Sequence, residues 1–166
     1  ADCYLCGLGR TFTNAFDTTG LVVLAVGAGA TALAFNQDQV MHDSWVNNQR
    51  MGKDVSGFGN FWGTGIPEAS IALAQLIWDN KNGVPHSQSL IMSTGVVYGL
   101  KYATQRPRPD SDTKTSFPSG HTQVSFVTAT HIAVAYGVWP SLPFFGAGVI
   151  TGLSRLADNA HWFSDI

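Results

Sequence analysis

Apolar positions run almost unbroken from Gly20 to Phe35, and Asp17-Thr18-Thr19 stands before them as a helix start. The chain then turns polar from Asn36 and becomes rich in glycine and aromatics between Val55 and Gly65. That segment reads as loop. Pro67 suits the first turn of a second helix running to about Trp78. Asp79 to Pro85, with Asn82-Gly83, reads as a turn, and a third helix is expected from about Ser87 to Gln105. Pro107 and Pro109 stop it. A charged loop follows from Arg106 to Phe117, and Pro118-Ser119-Gly120 opens a fourth helix that ends at Trp139-Pro140. A fifth is expected from about Ser141 to Leu156 with a kink at Pro143, and another from near Asn159, cut off at Ile166. No strand alternation of useful length and no repeat interrupts this pattern. The chain reads as all-α, one domain over residues 1–166, a bundle of five or six helices.

Composition sharpens the picture. Charged residues are 12% of the 166, about half the ~25% of an average soluble domain, while apolar residues are an ordinary 45%. The 18 glycines fall largely inside apolar stretches, which suits closely packed helices in water or in lipid. A spanning helix needs ~20 mostly apolar residues. Gly20–Phe35 has 16, Val124–Val138 carries Ser125, Thr128, Thr130 and His131, and Ser141–Leu153 contains Pro143, so none reads as a clean span. A mean hydropathy of +0.07 is also low for a chain of spans. The expectation is an extracytoplasmic helical domain, periplasmic or secreted, in peripheral contact with a membrane, with an integral bundle as the alternative. No signal peptide is read, and Ala1-Asp2 suits a mature end left by cleavage.

The net charge of −2, without a basic tail, excludes nucleic acid as a natural partner. Lys101, Arg106, Arg108 and Lys114 nevertheless cluster in one short stretch, which points to a small anion. Cys3 and Cys6 lack the second Cys or His pair of a zinc site and read as a local disulfide or two idle thiols. His42, His86 and His131 lack metal-ligand spacing, and His131 in an apolar helix reads as a core or interface residue. The glycine-aromatic stretch has three readings. Its backbone could approach a phosphate, Phe58, Phe61 and Trp62 could form an apolar lip, or it could simply cover the bundle end, which is the simplest.

Three clusters carry chemistry: Lys101 followed after six residues by Arg108-Pro109; Pro118-Ser119-Gly120-His121; and Ser154-Arg155, His161 and Asp165. Two arginines and a lysine can hold three phosphate oxygens, the arginines as forks and the lysine as a point charge. Ser119 and Gly120 stand where a helix begins, where free N–H groups and the helix dipole favour an anion. His161 and Asp165 are four apart and would share a helix face, the carboxylate holding one ring nitrogen and freeing the other to attack phosphorus. His121 can protonate the departing alkoxide. Each cluster alone has a bland reading as solvated charges, a helix cap or an exposed pair. Eleven specified residues together arise by chance on the order of 10⁻¹⁰.

These residues resemble the PAP2 superfamily, whose signature is K-x6-RP, PSGH and SR-x5-H-x3-D; all three motifs are complete and in order between Lys101 and Asp165. The superfamily includes lipid phosphate phosphatases, bacterial class A acid phosphatases and vanadium haloperoxidases. The resemblance implies a helical bundle, a phosphohistidine on His161 oriented by Asp165, and leaving-group protonation by His121. It also implies phosphate binding by Lys101, Arg108, Ser119, Gly120, His121 and Arg155. The family continues its last helix beyond the final Asp, so the chain is expected to be truncated at its C-terminus. The expected activity is metal-independent hydrolysis of a phosphate monoester or a lipid or isoprenoid (pyro)phosphate. No metal or resident cofactor is expected, with vanadate acting as an inhibitor. The alternatives are a haloperoxidase that uses vanadate as cofactor, and a non-catalytic scaffold retaining the site.

Overall fold

The computed structural model describes Gly7, Gly9, Thr13 and residues 16–166; Cys3 and Cys6 lie outside the described residues. The described residues hold seven α-helices and one short 3-10 turn, and no strand. The helices are α1 (Thr18–Phe35), α2 (Asp38–Asn48), α3 (Lys53–Trp62), α4 (Ile66–Trp78), α5 (Asn80–Thr104), α6 (Gly120–Tyr136) and α7 (Val138–Ala157), and the 3-10 turn is Phe163–Asp165. The all-α class is as expected. α6 and α7 pack on each other along their length, α3 lies on α7, α5 on α6 and α4 on α5, while α1 and α2 reach the 3-10 turn.

The start of α1 is the expected one, with Asp17 Oδ1 accepting from the Gly20 N–H at 2.8 Å. Its 18 residues are apolar and long enough to cross a membrane, by length and composition, where the sequence suggested no clean span. The segment 36–65 is not a loop. It forms α2 and α3, and of its glycines Gly59 and Gly63 lie against other helices, while a Cβ at Gly52, Gly57 or Gly65 would meet nothing within 4 Å. A Cβ at Gly59 would lie 2.9 Å from the Ile150 carbonyl and 2.8 Å from Ser154 Oγ, so only glycine lets α3 sit this close to α7. Phe58 and Phe61 face outward, and Trp62 stacks on Phe58 with ring centroids 6.0 Å apart.

Three further boundaries differ from expectation. α6 ends at Tyr136, and Trp139-Pro140, expected to end it, lie in the first turn of α7, which begins at Val138 rather than Ser141. α5 begins at Asn80, not Ser87, and Pro85 removes one bond in its second turn without stopping it. Gly83, expected in a turn, sits in this helix where a Cβ would be 2.3 Å from the Leu76 nitrogen, which permits the abrupt α4–α5 crossing. After α7 no helix resumes. Asn159 adopts the left-handed conformation (φ 58°), and the Ala160 and His161 N–H groups both return to the Arg155 carbonyl. His161 and Asp165 therefore do not share a helix face.

The interior is polar and the exterior apolar. The largest fully buried side chains are His86, Glu68, Thr128 and Thr151, whereas Trp78, Val134 and Trp139 are more than 80% exposed. Serine, threonine, glycine and alanine fill the helix contacts, as where packing rather than water exclusion joins helices. His131 lies inside, its ring stacked on His86 with centroids 4.3 Å apart.

Candidate active site

Four pieces of chain converge at one end of the bundle. Lys101 stands in the last turn of α5, and its buried Nζ donates to the carbonyls of Thr115 (2.5 Å) and Ser116 (3.4 Å). Gln105, left-handed at φ 44°, ends α5 and starts the loop that carries Arg108. The loop is closed by two backbone bonds, from Arg108 N–H to the Thr113 carbonyl at 3.1 Å and from Ser116 N–H to the Arg106 carbonyl at 3.0 Å.

Ser119 caps α6, its Oγ accepting from the Thr122 N–H at 3.4 Å, while its own N–H donates to the Asp165 carbonyl at 2.8 Å. The cap thus ties the start of α6 to the C-terminal turn. Gly120 and His121 are the first residues of α6, where N–H groups lack intrahelical acceptors. Behind His121 stands Gly63, where a Cβ would lie 2.6 Å from both His121 Cβ and Thr151 Cγ2.

His161 is buried, its Nδ1 3.5 Å from Asp165 Oδ2, an ion-pair contact longer than a full hydrogen bond. The Asp165 carboxylate is held on every side. Oδ2 accepts from the Trp162 N–H at 2.8 Å and from Ser116 Oγ, and Oδ1 accepts from Arg106 Nη1 at 2.6 Å. Burial pushes the His161 imidazole below its usual range, a shift that Asp165 opposes and that the charges of Arg108 and Lys101 reinforce. Burial alone would raise Asp165. His161, Ser116, the Trp162 N–H and Arg106 outweigh it and hold the carboxyl below the usual carboxylate range.

Lys101, Arg108, Gly120, His121 and His161 all line one cavity of about 590 Å³. Leu90, Ile91, Val97, Tyr98 and Val124 make much of the rest of its lining apolar, and Gly63, Thr64 and Gly65 line it too. Ser119, Asp165 and Arg155 stand behind this surface. Arg155 is paired with Asp158 at 2.8 Å, and Asp158 also accepts from Ser56 (2.6 Å) and Asn60 (2.5 Å). Arg108 Nε, Arg155 Nε and His161 Nδ1 are buried with no hydrogen-bond partner among the described residues. Buried donors of this kind are costly unless a ligand engages them. No group of three His, Cys, Asp or Glu side chains is placed to hold a metal among the described residues.

Sequence reasoning did not find Asp38, Ser116 and Gly63, and it placed Arg106 only in a positive cluster. Arg106 carried a usable signal, being an arginine two residues before Arg108 of the first motif. Asp38 carried none, since it meets Ser164 across 126 residues of chain.

Residues 83–166 match the PAP2 superfamily, about half of the chain, and the protein belongs to that superfamily. It is similar to the lipid A 1-phosphatase of Porphyromonas gingivalis, at 36% identity over 86 residues. The match takes in 50% of this chain and only 19% of that relative's length. No solved structure matches.

Proposed function

We propose that the protein is a phosphatase of lipid-linked phosphate monoesters that works through a phosphohistidine and needs no metal ion. The observation that carries the reading is a cavity lined by two unlike sets of side chains. The first is Lys101, Arg108, His121 and His161, with a buried Arg108 Nε unpaired among the described residues; the second is apolar, Leu90, Ile91, Val97 and Val124. A phosphoryl group suits the first and a hydrocarbon chain the second. The name of the Porphyromonas relative agrees with such a substrate.

In this reading the free nitrogen of His161 attacks phosphorus as the bond to the ester oxygen breaks. Asp165 stabilises the positive charge that grows on the ring. His121 gives its proton to the departing alkoxide, then takes one from the water that attacks the phosphohistidine, releasing phosphate and restoring both histidines. Lys101, Arg108 and the first N–H groups of α6 hold the equatorial oxygens and supply the positive charge that a metal provides elsewhere. Arg155 stands one layer back, its charge shared with Asp158.

The same reading places the chain in a membrane. α1 and the apolar exteriors of α4 to α7 favour an embedded bundle over peripheral attachment, with the cavity mouth at an extracytoplasmic surface. Phosphate release from a panel of soluble and lipid phosphates in EDTA tests the activity. Release from lipid monoesters that persists in EDTA is expected, and activity lost to EDTA and restored by a divalent ion would refute metal independence. Extraction by detergent but not by alkali or high salt is the expected behaviour of the embedded chain.

A further inference from the structure

Arg106 and Arg108 leave the same loop in different roles. Arg108 lines the cavity, while Arg106 does not. Its Nη1 donates to Asp165 Oδ1 at 2.6 Å and to Ser164 Oγ at 2.7 Å, and its Nη2 donates to Asp38 Oδ2 at 2.5 Å. Asp38 is buried at the first turn of α2, and it also accepts from the Ser164 N–H at 2.8 Å and the Ser164 hydroxyl at 2.7 Å. The guanidinium lies 5.0 Å from the Phe35 ring centroid and 5.7 Å from that of Trp162, so aromatic rings as well as carboxylates fix its plane.

We propose that Arg106 is a positioning residue for the His161–Asp165 pair and that Asp38, from outside the catalytic motifs, sets the position of Arg106. The proposal rests on the reading of His161 as nucleophile and Asp165 as its orienting carboxylate. Asp165 is wholly buried, and Arg106 is the cation bonded to it. By holding Oδ1, Arg106 leaves Oδ2 to Ser116, the Trp162 N–H and His161. Lys101 also acts on Asp165 by its charge, but its Nζ donates to the Thr115 and Ser116 carbonyls and makes no hydrogen bond to Asp165. Without Arg106 a buried carboxyl tends to take up a proton, and a neutral carboxyl no longer stabilises the imidazolium formed during attack. Asp38 divides the guanidinium between two carboxylates, so that Arg106 orients Asp165 without cancelling its charge. Only a forked donor spans both, which a lysine cannot do.

The test uses the full chain in detergent micelles, a diacyl phosphate monoester as substrate and inorganic phosphate as the probe of the phosphate pocket. Arg106→Gln is expected to lower kcat about 10–100-fold, as for other residues that orient a reacting group. KM and the inhibition constant of inorganic phosphate should stay within about twofold, and the acid limb of the rate profile should move to higher pH, because Asp165 takes up its proton sooner. Arg106→Lys should return the acid limb towards that of the parent while restoring kcat only in part. Asp38→Asn should lower kcat less than Arg106→Gln, and the double variant should be no worse than Arg106→Gln alone, because Asp38 acts through it. Unchanged kcat and acid limb in Arg106→Gln would overturn the proposal. So would a rise in the inorganic phosphate constant that matches the loss of kcat, since that marks a phosphate contact, or strict additivity with Asp38→Asn. Thermal unfolding in the same micelles checks folding, and Asp38→Asn with Arg106→Lys carry the comparison where Arg106→Gln does not fold. Acid-quench trapping of labelled phosphate separates the two levels. A parent protein without His161-dependent label overturns the nucleophile reading and this proposal together. Label present alongside normal Arg106→Gln kinetics overturns the positioning role alone.

Discussion

Two buried polar clusters divide this molecule. In the middle of the bundle, His86 sits between Gln75 Oε1 at 2.6 Å and Thr128 Oγ1 at 3.0 Å, both ring nitrogens engaged, and Ser125 links Glu68 to Thr151. At the end of the bundle, arginines and histidines gather around an open cavity, and Arg108 Nε, Arg155 Nε and His161 Nδ1 stay unpaired among the described residues. Unpaired atoms also occur in the middle, at Glu68 Oε2 and His131 Nε2, so lack of a partner does not by itself mark a site. The difference is charge and access. Closed, mostly neutral contacts join helices whose outer faces are apolar, whereas Arg108 presents an unpaired cationic donor at the lining of an open cavity.

The largest effect that would break this contrast is on His161. His161→Ala is expected to abolish the phosphoenzyme and cut kcat by at least about 10⁴-fold, read by acid-quench trapping. Label retained in that variant would move the chemistry elsewhere. His121→Ala should cost about 10²–10⁴-fold on an alkyl phosphate and distinctly less on a nitrophenyl ester, whose leaving group needs no proton. Equal losses on the two esters would remove His121 as the general acid.

Vanadate should compete with substrate, because its trigonal-bipyramidal form resembles the phosphoryl transition state. Arg108→Ala should weaken that inhibition by about 10–100-fold, the range for a lost hydrogen bond to a charged group. On pH, the depressed His161 stays neutral, and so nucleophilic, into mildly acidic solution. The depressed Asp165 stays ionised there as well. The acid limb should therefore fall below the ordinary imidazole range of about 6.5, and a limb at or above it would contradict the burial seen here. The smallest catalytic effect belongs to the middle cluster. Thr128→Val leaves one nitrogen of His86 unpaired and should cost about 1–3 kcal/mol of stability by thermal unfolding, with kcat within about twofold of the parent.

The three catalytic motifs were legible because phosphoryl chemistry demands particular residue types at short spacings, and the cavity gathers Lys101, Arg108, Gly120, His121 and His161. The helical class was legible from apolar runs punctuated by Pro and Asn-Gly. What misled was glycine. Gly57, Gly59 and Gly83 read as loop or turn by propensity, but at Gly59 and Gly83 close contact with another helix overrides that preference. The His161–Asp165 spacing suggested a helix face, and the pair meets instead through a left-handed Asn159 and a 3-10 turn, which no spacing rule distinguishes. Asp38 was illegible because its role exists only after residues 126 apart have met.

Gly63 ends α3, twenty residues before the PAP2 match begins, yet the ring that would protonate the leaving group rests against it. In the proposed mechanism the matched half of the chain carries the reacting groups, while the other half sets the clearance around one of them. A methyl group added at residue 63 would meet His121 and Thr151, and in the proposed mechanism it would push His121 off its line to the ester oxygen. Fragments or chimaeras joined near residue 83 inherit the motifs complete and still depend on whichever α3 they are given for the reach of a single proton.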